Sequence, residues 1–485
     1  MGMACRPRRG RAAPDGTAGL RCVLGLAAVV VVALGGCTEE TVVPPLSPAL
    51  AASFDYAMPA RFAEPDPSGP EGEYEIYTAG ALHPRAWPVA LDACASTGSI
   101  VRYDWTIEGR PAGGSTACDG FVYDFPAEGT YPVSLRVEAD DGEQATTAMD
   151  VVVFDYLIFG VGDSYGSGEG SPDGPLSLAT DAEWQSRRCH RSALSGQVRA
   201  ARLLEEADPR TSVTFVHLAC SGARIDLGLL EGYAGVEPAD PLLPPQMDRV
   251  RELAAGQVVD ALVVSIGGND VHFSRIVQAC ILAEDCHLGP TGPDPALQAQ
   301  AAVVCPLAGP FASDCLDYLA SLDPTALDAA ALFDEGNVDL PGRYDALASE
   351  ITRGLHMDPG RVFLTEIPDV TRDELGIPCG WDTALLLARK LLNLPGVTRA
   401  EMGWASSHVT AGLLATMQEA ARRHGWQLVT GISSRFTTHG YCAIDGWLVR
   451  LQDSFAIQGD HYGGVHPNAA GHAAYAEAIA AAVGR

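Results

Sequence analysis

Two short blocks far apart in the chain hold the residue types of acyl-transfer chemistry. Gly162-Asp163-Ser164-Tyr165 follows directly on the apolar run Leu157 to Val161, and His466-Pro467-Asn468 stands before an Ala-rich stretch near the C-terminus. A serine hydroxyl is a weak nucleophile at neutral pH, so it needs a base within hydrogen-bond reach and donors for the oxyanion formed on attack. His466 is the candidate base. Gly222, in Ala219-Cys220-Ser221-Gly222, and Asn269, in Gly267-Gly268-Asn269-Asp270, are candidate donors. Glycine suits this role because a backbone N–H without a neighbouring Cβ lets a substrate oxygen approach closely. Such chemistry runs on side chains and backbone amides alone, so the expectation is no cofactor and no metal.

The elements around these blocks explain how residues so distant in sequence could meet. Apolar runs at Tyr156 to Val161, Val213 to Leu218, Ala261 to Ile266, Val362 to Ile367 and Gln427 to Ile432 read as buried strands. Helical spacing over Ser192 to Ala207, Gln246 to Ala255, Tyr344 to Met357, Ala400 to His424 and Asn468 to Val483 separates or follows them. Strands alternating with helices predict an α/β fold with a parallel sheet covered on both faces, whose ligands bind at the carboxyl ends of the strands. Ser164, Gly222 and Asn269 fall there, after the first, second and third strands. The stretch from Val271 to Pro341 breaks the rhythm and reads as an insertion, either over the site or packed into the core.

Taken in order, the blocks at 162–165, 219–222, 267–270 and 466–468 resemble the nucleophile, glycine, asparagine and histidine blocks of the GDSL or SGNH hydrolase superfamily. The resemblance spans residues 155–485 and implies a flavodoxin-like three-layer domain acting on carboxylic esters. It implies Ser164 as nucleophile, His466 as base and then acid, and an oxyanion hole built from the backbone N–H groups of Ser164 and Gly222 with the Asn269 amide. Cys189-His190-Arg191-Ser192, with a paired Cys220, is most similar to the disulfide-rich bacterial esterase branch. Asp163 and Asp270 read as acids that organise loops, and His190 and Arg191 as local hydrogen-bonding groups.

One departure stands out. The superfamily places an Asp three residues before its histidine, whereas position 463 here is Gly and the nearest upstream acid is Asp460. Either Asp460 folds back to orient the imidazole, or a backbone carbonyl near Gly463 does so; each fixes the tautomer, because the ring N–H needs only an acceptor. Two other readings remain at this point. Gly162-x-Ser164-x-Gly166 also satisfies the nucleophile elbow of α/β-hydrolases, although that fold has several strands ahead of its serine. An anchored envelope binding protein with an inactive hydrolase fold is the alternative from a different class.

Ahead of the catalytic region the chain changes character. Arg6, Arg8, Arg9, Arg11 and Arg21 precede the apolar run Val23 to Leu34, which is short for a membrane span and reads as a secretory leader over residues 1–36. Leu34-Gly35-Gly36-Cys37 resembles a bacterial lipobox and implies lipid modification of Cys37, with Thr38 favouring outer-membrane sorting where such a membrane exists. Losing a leader with five Arg and one Asp takes the formal net charge from −29 to −33. Such acidity argues against nucleic acid as a partner and against adsorption to anionic lipid, leaving the Cys37 anchor as the expected membrane contact. Residues 37–84, rich in Pro and acids, read as a disordered tether. Residues 85–154 show short alternating runs parted by turn signals at Gly113-Gly114, Glu128-Gly129 and Asp141-Gly142, which predict a small β-sandwich. Tyr103-Asp104-Trp105-Thr106-Ile107 and Phe125 to Tyr131 resemble PKD-type immunoglobulin-like domains, implying a spacer or a weak glycan- or protein-binding module.

Of thirteen cysteines, Cys5 and Cys22 lie in the leader and Cys37 is the proposed lipid site. The even remainder in an exported chain points to disulfides. Nearest-neighbour pairing gives Cys94 with Cys118, Cys189 with Cys220, Cys280 with Cys286, Cys305 with Cys315, and Cys379 with Cys442. The competing arrangement is a zinc site from Cys280, Cys286 and His287 with Cys305 or Cys315.

Overall fold

The computed structural model describes residues 48–65, 75–380 apart from 178, 238–240, 291, 293, 296–298, 300–301, 303–304 and 323–327, and 397–484. The expected leader, Cys37 and the first part of the tether lie outside the described residues.

Five strands build the predicted parallel sheet: β9 (Asp155–Gly162), β10 (Ser212–His217), β11 (Ala261–Ser265), β12 (Val362–Thr365) and β13 (Gln427–Val429). They lie in the order β13-β12-β11-β9-β10, with a short β2 (Ile76–Tyr77) antiparallel at the outer edge of β10. Successive side chains along each strand alternate between two cores. Leu157, Phe159, Val161, Leu262 and Val264 face one, and Ile158, Val213, Phe215, Val263 and Phe363 face the other. Burial on both faces explains why these strands read as unbroken apolar runs. The helices Gly196–Ala207 and Ala469–Val483 cover one face, and Gln246–Ala254, Ala329–Ser349 and Ala411–His424 cover the other.

Residues 85–153, joined by one earlier strand, form the sandwich. Strands β1 (Asp55–Ala57), β3 (Trp87–Asp92) and β6 (Phe121–Phe125) make one sheet; β5 (Arg110–Ser115), β4 (Ile100–Ile107), β7 (Gly129–Ala139) and β8 (Gln144–Val153) make the other. Trp105 fills its centre, edge-on to Phe54 at 5.1 Å and stacked with Phe121 at 5.5 Å.

The structure corrects three expectations. Residues 48–65 and 75–84 are not a loose tether: β1 pairs with β3 of the sandwich, and β2 extends the hydrolase sheet. Phe54, Tyr56 and Met58, every second residue, enter the sandwich core, a period-2 signal masked by the surrounding Pro and acidic residues. Buried Arg61 reinforces the joint. It donates to Thr214, faces Asp155 at 3.4 Å and lies 5.0 Å over the Trp87 ring. Second, the Gly113-Gly114 turn is part of β5, where Gly113 admits the Phe121 ring. Third, the helix expected from Tyr344 begins at Ala329 and runs through Pro341. Phe333, Leu340, Tyr344 and Leu347 form a buried stripe at helical spacing, so tertiary packing overrides the local breaker. The end of the supposed insertion is therefore core, while its beginning, Phe273–Leu282 and Ala312–Ser321, stands over the site.

Disulfides join Cys94–Cys118, Cys189–Cys220, Cys280–Cys286, Cys305–Cys315 and Cys379–Cys442. With their sulfurs bonded to one another, the cysteines of the alternative zinc site have no thiolate to offer a metal. Five such bonds mark the described chain as extracytoplasmic.

Candidate active site

Ser164 sits where β9 ends, on a one-turn helix, Ser164–Ser167, capped by Asp163, whose carboxylate accepts from the Tyr165 N–H at 3.1 Å. The turn is held from below. The Gln246 amide clamps both backbone groups of Gly162 at 2.8 and 2.9 Å, and the Asp163 N–H donates to the Ser265 carbonyl at the end of β11. His466 arrives on the loop ahead of the last helix, and Asn468 caps that helix through the N–H groups of Ala470 and Gly471. Tyr165 fastens this loop to the serine turn. Its hydroxyl donates to the Val465 carbonyl at 3.0 Å, and its ring lies 5.0 Å from that of His466.

The result is direct contact: Ser164 Oγ lies 2.7 Å from His466 Nε2. On the far side of the ring, Nδ1–H donates to the Gly464 carbonyl at 3.2 Å. That arrangement sets the tautomer that leaves Nε2 free to accept the serine proton. Burial keeps the His466 pKa below its ordinary value, against the opposing pull of the Glu169 negative charge.

Asp460 is not brought onto the imidazole. Its carboxylate accepts from Gln458 Nε2 at 2.6 Å and from the Tyr462 N–H at 2.8 Å, within its own loop. Burial first, then repulsion by Glu169, raises its pKa to about 6. Of the two orienting groups the sequence left open, the carbonyl is the one in place.

Gly222 and Asn269 line the same cleft as Ser164 and His466, a space of about 450 Å³. Gly222 adopts a left-handed backbone, φ +82°, and a Cβ there would stand 2.2 Å from the Tyr233 hydroxyl, so the loop requires glycine. Asn269 donates one amide hydrogen to the Ala223 carbonyl at 3.0 Å, which fixes its plane and leaves the second hydrogen for the cleft. Asp270 ties these two loops together: it accepts from the Ile225 N–H and pairs with Arg343 at 2.8 Å. Burial pushes Asp163 up to about 8 and also raises Asp270. Both acids contact backbone amides of the loops they brace.

Phe273, Val277, Ile281 and Tyr318 from the inserted segment, with Tyr233, Tyr441, His461 and Tyr462, form the cleft's aromatic and apolar walls. His461 stacks on Tyr318 at 4.1 Å. Composition alone did not reveal these wall residues, because they come from loops without a period. Sequence reading also missed Glu169, a fully buried acid five residues beyond Ser164 that accepts from His190, Ser221 and Gln458. Its only visible trace was a charged residue inside the glycine- and serine-rich stretch Gly166 to Ser171.

Two family models match parts of the chain. A family model of the PKD domain matches residues 77–153. Solved structures with detectable likeness include an active-site mutant of a family two carbohydrate esterase from Clostridium thermocellum, 12% identical, covering 89% of this chain and 97% of that one with a TM-score of 0.31. The PKD1 domain of a Vibrio cholerae metalloprotease is 19% identical, covering 22% of this chain and 96% of that one with a TM-score of 0.14. No curated protein matches. The model of GDSL-like lipases and acylhydrolases matches residues 161–474, which take in all four blocks, and the chain belongs to the GDSL-like lipase/acylhydrolase family.

Proposed function

We propose that the protein is an extracytoplasmic serine ester hydrolase that works through an acyl-enzyme on Ser164. The observation that carries this reading is the 2.7 Å contact between Ser164 Oγ and His466 Nε2 inside a cleft that also holds Gly222 and Asn269. His466 takes the hydroxyl proton as Oγ attacks the ester carbonyl, and the Gly464 carbonyl receives the Nδ1–H of the imidazolium. The carbonyl oxygen, now anionic, turns toward the N–H groups of Ser164 and Gly222 and the free amide hydrogen of Asn269. His466 then protonates the leaving alcohol. A water molecule enters, gives a proton to the same nitrogen and attacks the acyl-serine; as the second tetrahedral intermediate collapses, His466 returns that proton to Oγ, releasing the carboxylic acid and restoring the Ser164 hydroxyl.

Lipids, short-chain acyl esters and acylated glycans are the substrate classes in this reading. The PKD domain serves as a spacer or weak glycan contact, and the lipid anchor at Cys37 holds the protein to the bacterial envelope. The test uses a chromogenic acyl-length series and acetylated glycans on wild type and Ser164→Ala, alongside a fluorophosphonate probe. Turnover and labelling of wild type, both absent in Ser164→Ala, are expected; labelling that persists in Ser164→Ala defeats the reading.

A further inference from the structure

Four side chains from separate stretches converge behind the cleft. Glu169 is fully buried, and both its oxygens lie 3.0 Å from His190 Nδ1. The same carboxylate accepts from the Ser221 hydroxyl, and from the Gln458 amide at 2.7 Å. His190 lies flat on Trp184, with centroids 4.4 Å apart, and its backbone holds the left-handed φ of +46°. Burial opposes charge on both partners, yet their mutual attraction and hydrogen bond hold the Glu169 pKa below and the His190 pKa above their ordinary values. A buried pair of opposite charges is expensive to desolvate and is a weak device for stability alone.

Its placement points to another role. Ser221 directly precedes Gly222, so the carboxylate that holds the Ser221 hydroxyl fixes the loop presenting the Gly222 N–H. Cys189–Cys220 joins the same two loops one residue away on each side. On its other flank, Glu169 is followed by Gly170, which packs so tightly that a Cβ there would meet His466 Cβ at 3.2 Å and the Pro467 carbonyl at 2.9 Å. The residue after Glu169 thus packs against the backbone of the base, in a chain where position 463 lacks the usual acid.

Resting on the reading of Ser164 and His466 given above, we propose that Glu169 and His190 are a positioning pair for this site: Glu169 sets the Gly222 loop through Ser221 and, through Gly170, the backbone that His466 packs against. His190 keeps Glu169 ionised in a buried setting. The other ionisable groups around the pair are Glu237, 4.0 Å from His190 Nε2, and Asp460, joined to Glu169 through Gln458. His461, His472, Tyr233 and Tyr462 complete the surroundings. Burial drives both histidines down to about 4 and both tyrosines upward, so all four are neutral near pH 7.

The experiment compares full-length wild type and Glu169→Gln in p-nitrophenyl acetate hydrolysis across pH, normalised to an end-point fluorophosphonate titre. Glu169→Gln is expected to lose about 10²-fold in kcat with KM changed less than about threefold, the scale of a misplaced catalytic group. Its acid limb moves to lower pH, because the Glu169 charge that draws the His466 pKa upward is gone. A kcat within about threefold of wild type overturns the proposal. So does a loss matched by the titre with the acid limb unmoved, which is what a purely structural role produces. If Glu169→Gln does not fold, Ser221→Ala decides: a fall in kcat of about tenfold at constant KM supports the pair, and an unchanged kcat refutes it. A wild type that takes no label and cleaves no ester refutes the reading of Ser164 itself, a result distinct from any of these.

Discussion

Asp460→Asn separates the two ways of orienting His466. The Asp460 carboxylate contacts Gln458 Nε2 and the Tyr462 N–H, and asparagine Oδ1 can accept from both in the same place. The His466 Nδ1–H meanwhile stays on the Gly464 carbonyl at 3.2 Å. Replacing the aspartate of a working triad costs about 10⁴-fold in kcat, or about 5.4 kcal/mol at 1.36 kcal/mol per factor of ten. With no contact to the ring, Asp460→Asn is expected to retain kcat/KM within about tenfold, under about 1.4 kcal/mol. Stability gives an independent reading. The folded pKa of Asp460, about 6, lies above its ordinary 3.8, so the native state binds the proton more tightly. Stability therefore falls as pH rises from 3.8 to about 6 and stays at the lower level above it. Asparagine removes that penalty, so the variant should melt no lower than wild type at pH 8, and its relative advantage should shrink at pH 4. The assay is p-nitrophenyl acetate hydrolysis at pH 8, normalised to fluorophosphonate-reactive sites, with thermal melts at both pH values. A 10⁴-fold fall in kcat/KM with an intact melt refutes the argument.

Further expectations follow from the same geometry. Because burial lowers the His466 pKa and only neutral imidazole accepts the serine proton, the acid limb of kcat/KM should have its midpoint below the ordinary histidine value of 6.5; a midpoint above 6.5 contradicts the burial argument. Gly222→Ala forces a Cβ against the Tyr233 hydroxyl at φ +82°, and kcat should fall by about 10² or more, as for loss of an oxyanion donor. A change under about fivefold in kcat would remove Gly222 from that role. Replacing Cys379 and Cys442 by serine opens a loop whose ends are 63 residues apart, and chemical denaturation should show about 4 kcal/mol less stability on the chain-entropy scale. Arg61→Ala leaves Asp155 buried without its cation beside Trp87 and should cost about 3–5 kcal/mol by the same measurement; unaltered unfolding would show that this joint is unimportant.

The sequence by itself determined the parallel sheet, because strands buried on both faces must be continuously apolar, and it determined the four blocks at the strand ends, because acyl transfer demands those residue types there. It also determined the alternation of the sandwich strands from Trp87 onward. Only the tertiary structure decided which acceptor meets His466: Asp460 and Gly464 are both near in sequence, and the loop's path selects the carbonyl. The same holds for β1 and β2, whose few apolar residues gain meaning only from the cores they enter, and for the helix from Ala329, where packing overrides Pro341. Glu169 shows the limit most plainly. A lone acid among glycines and serines carries no local pattern, and its importance arises from His190, Ser221 and Gln458, groups that reach it from three other parts of the chain.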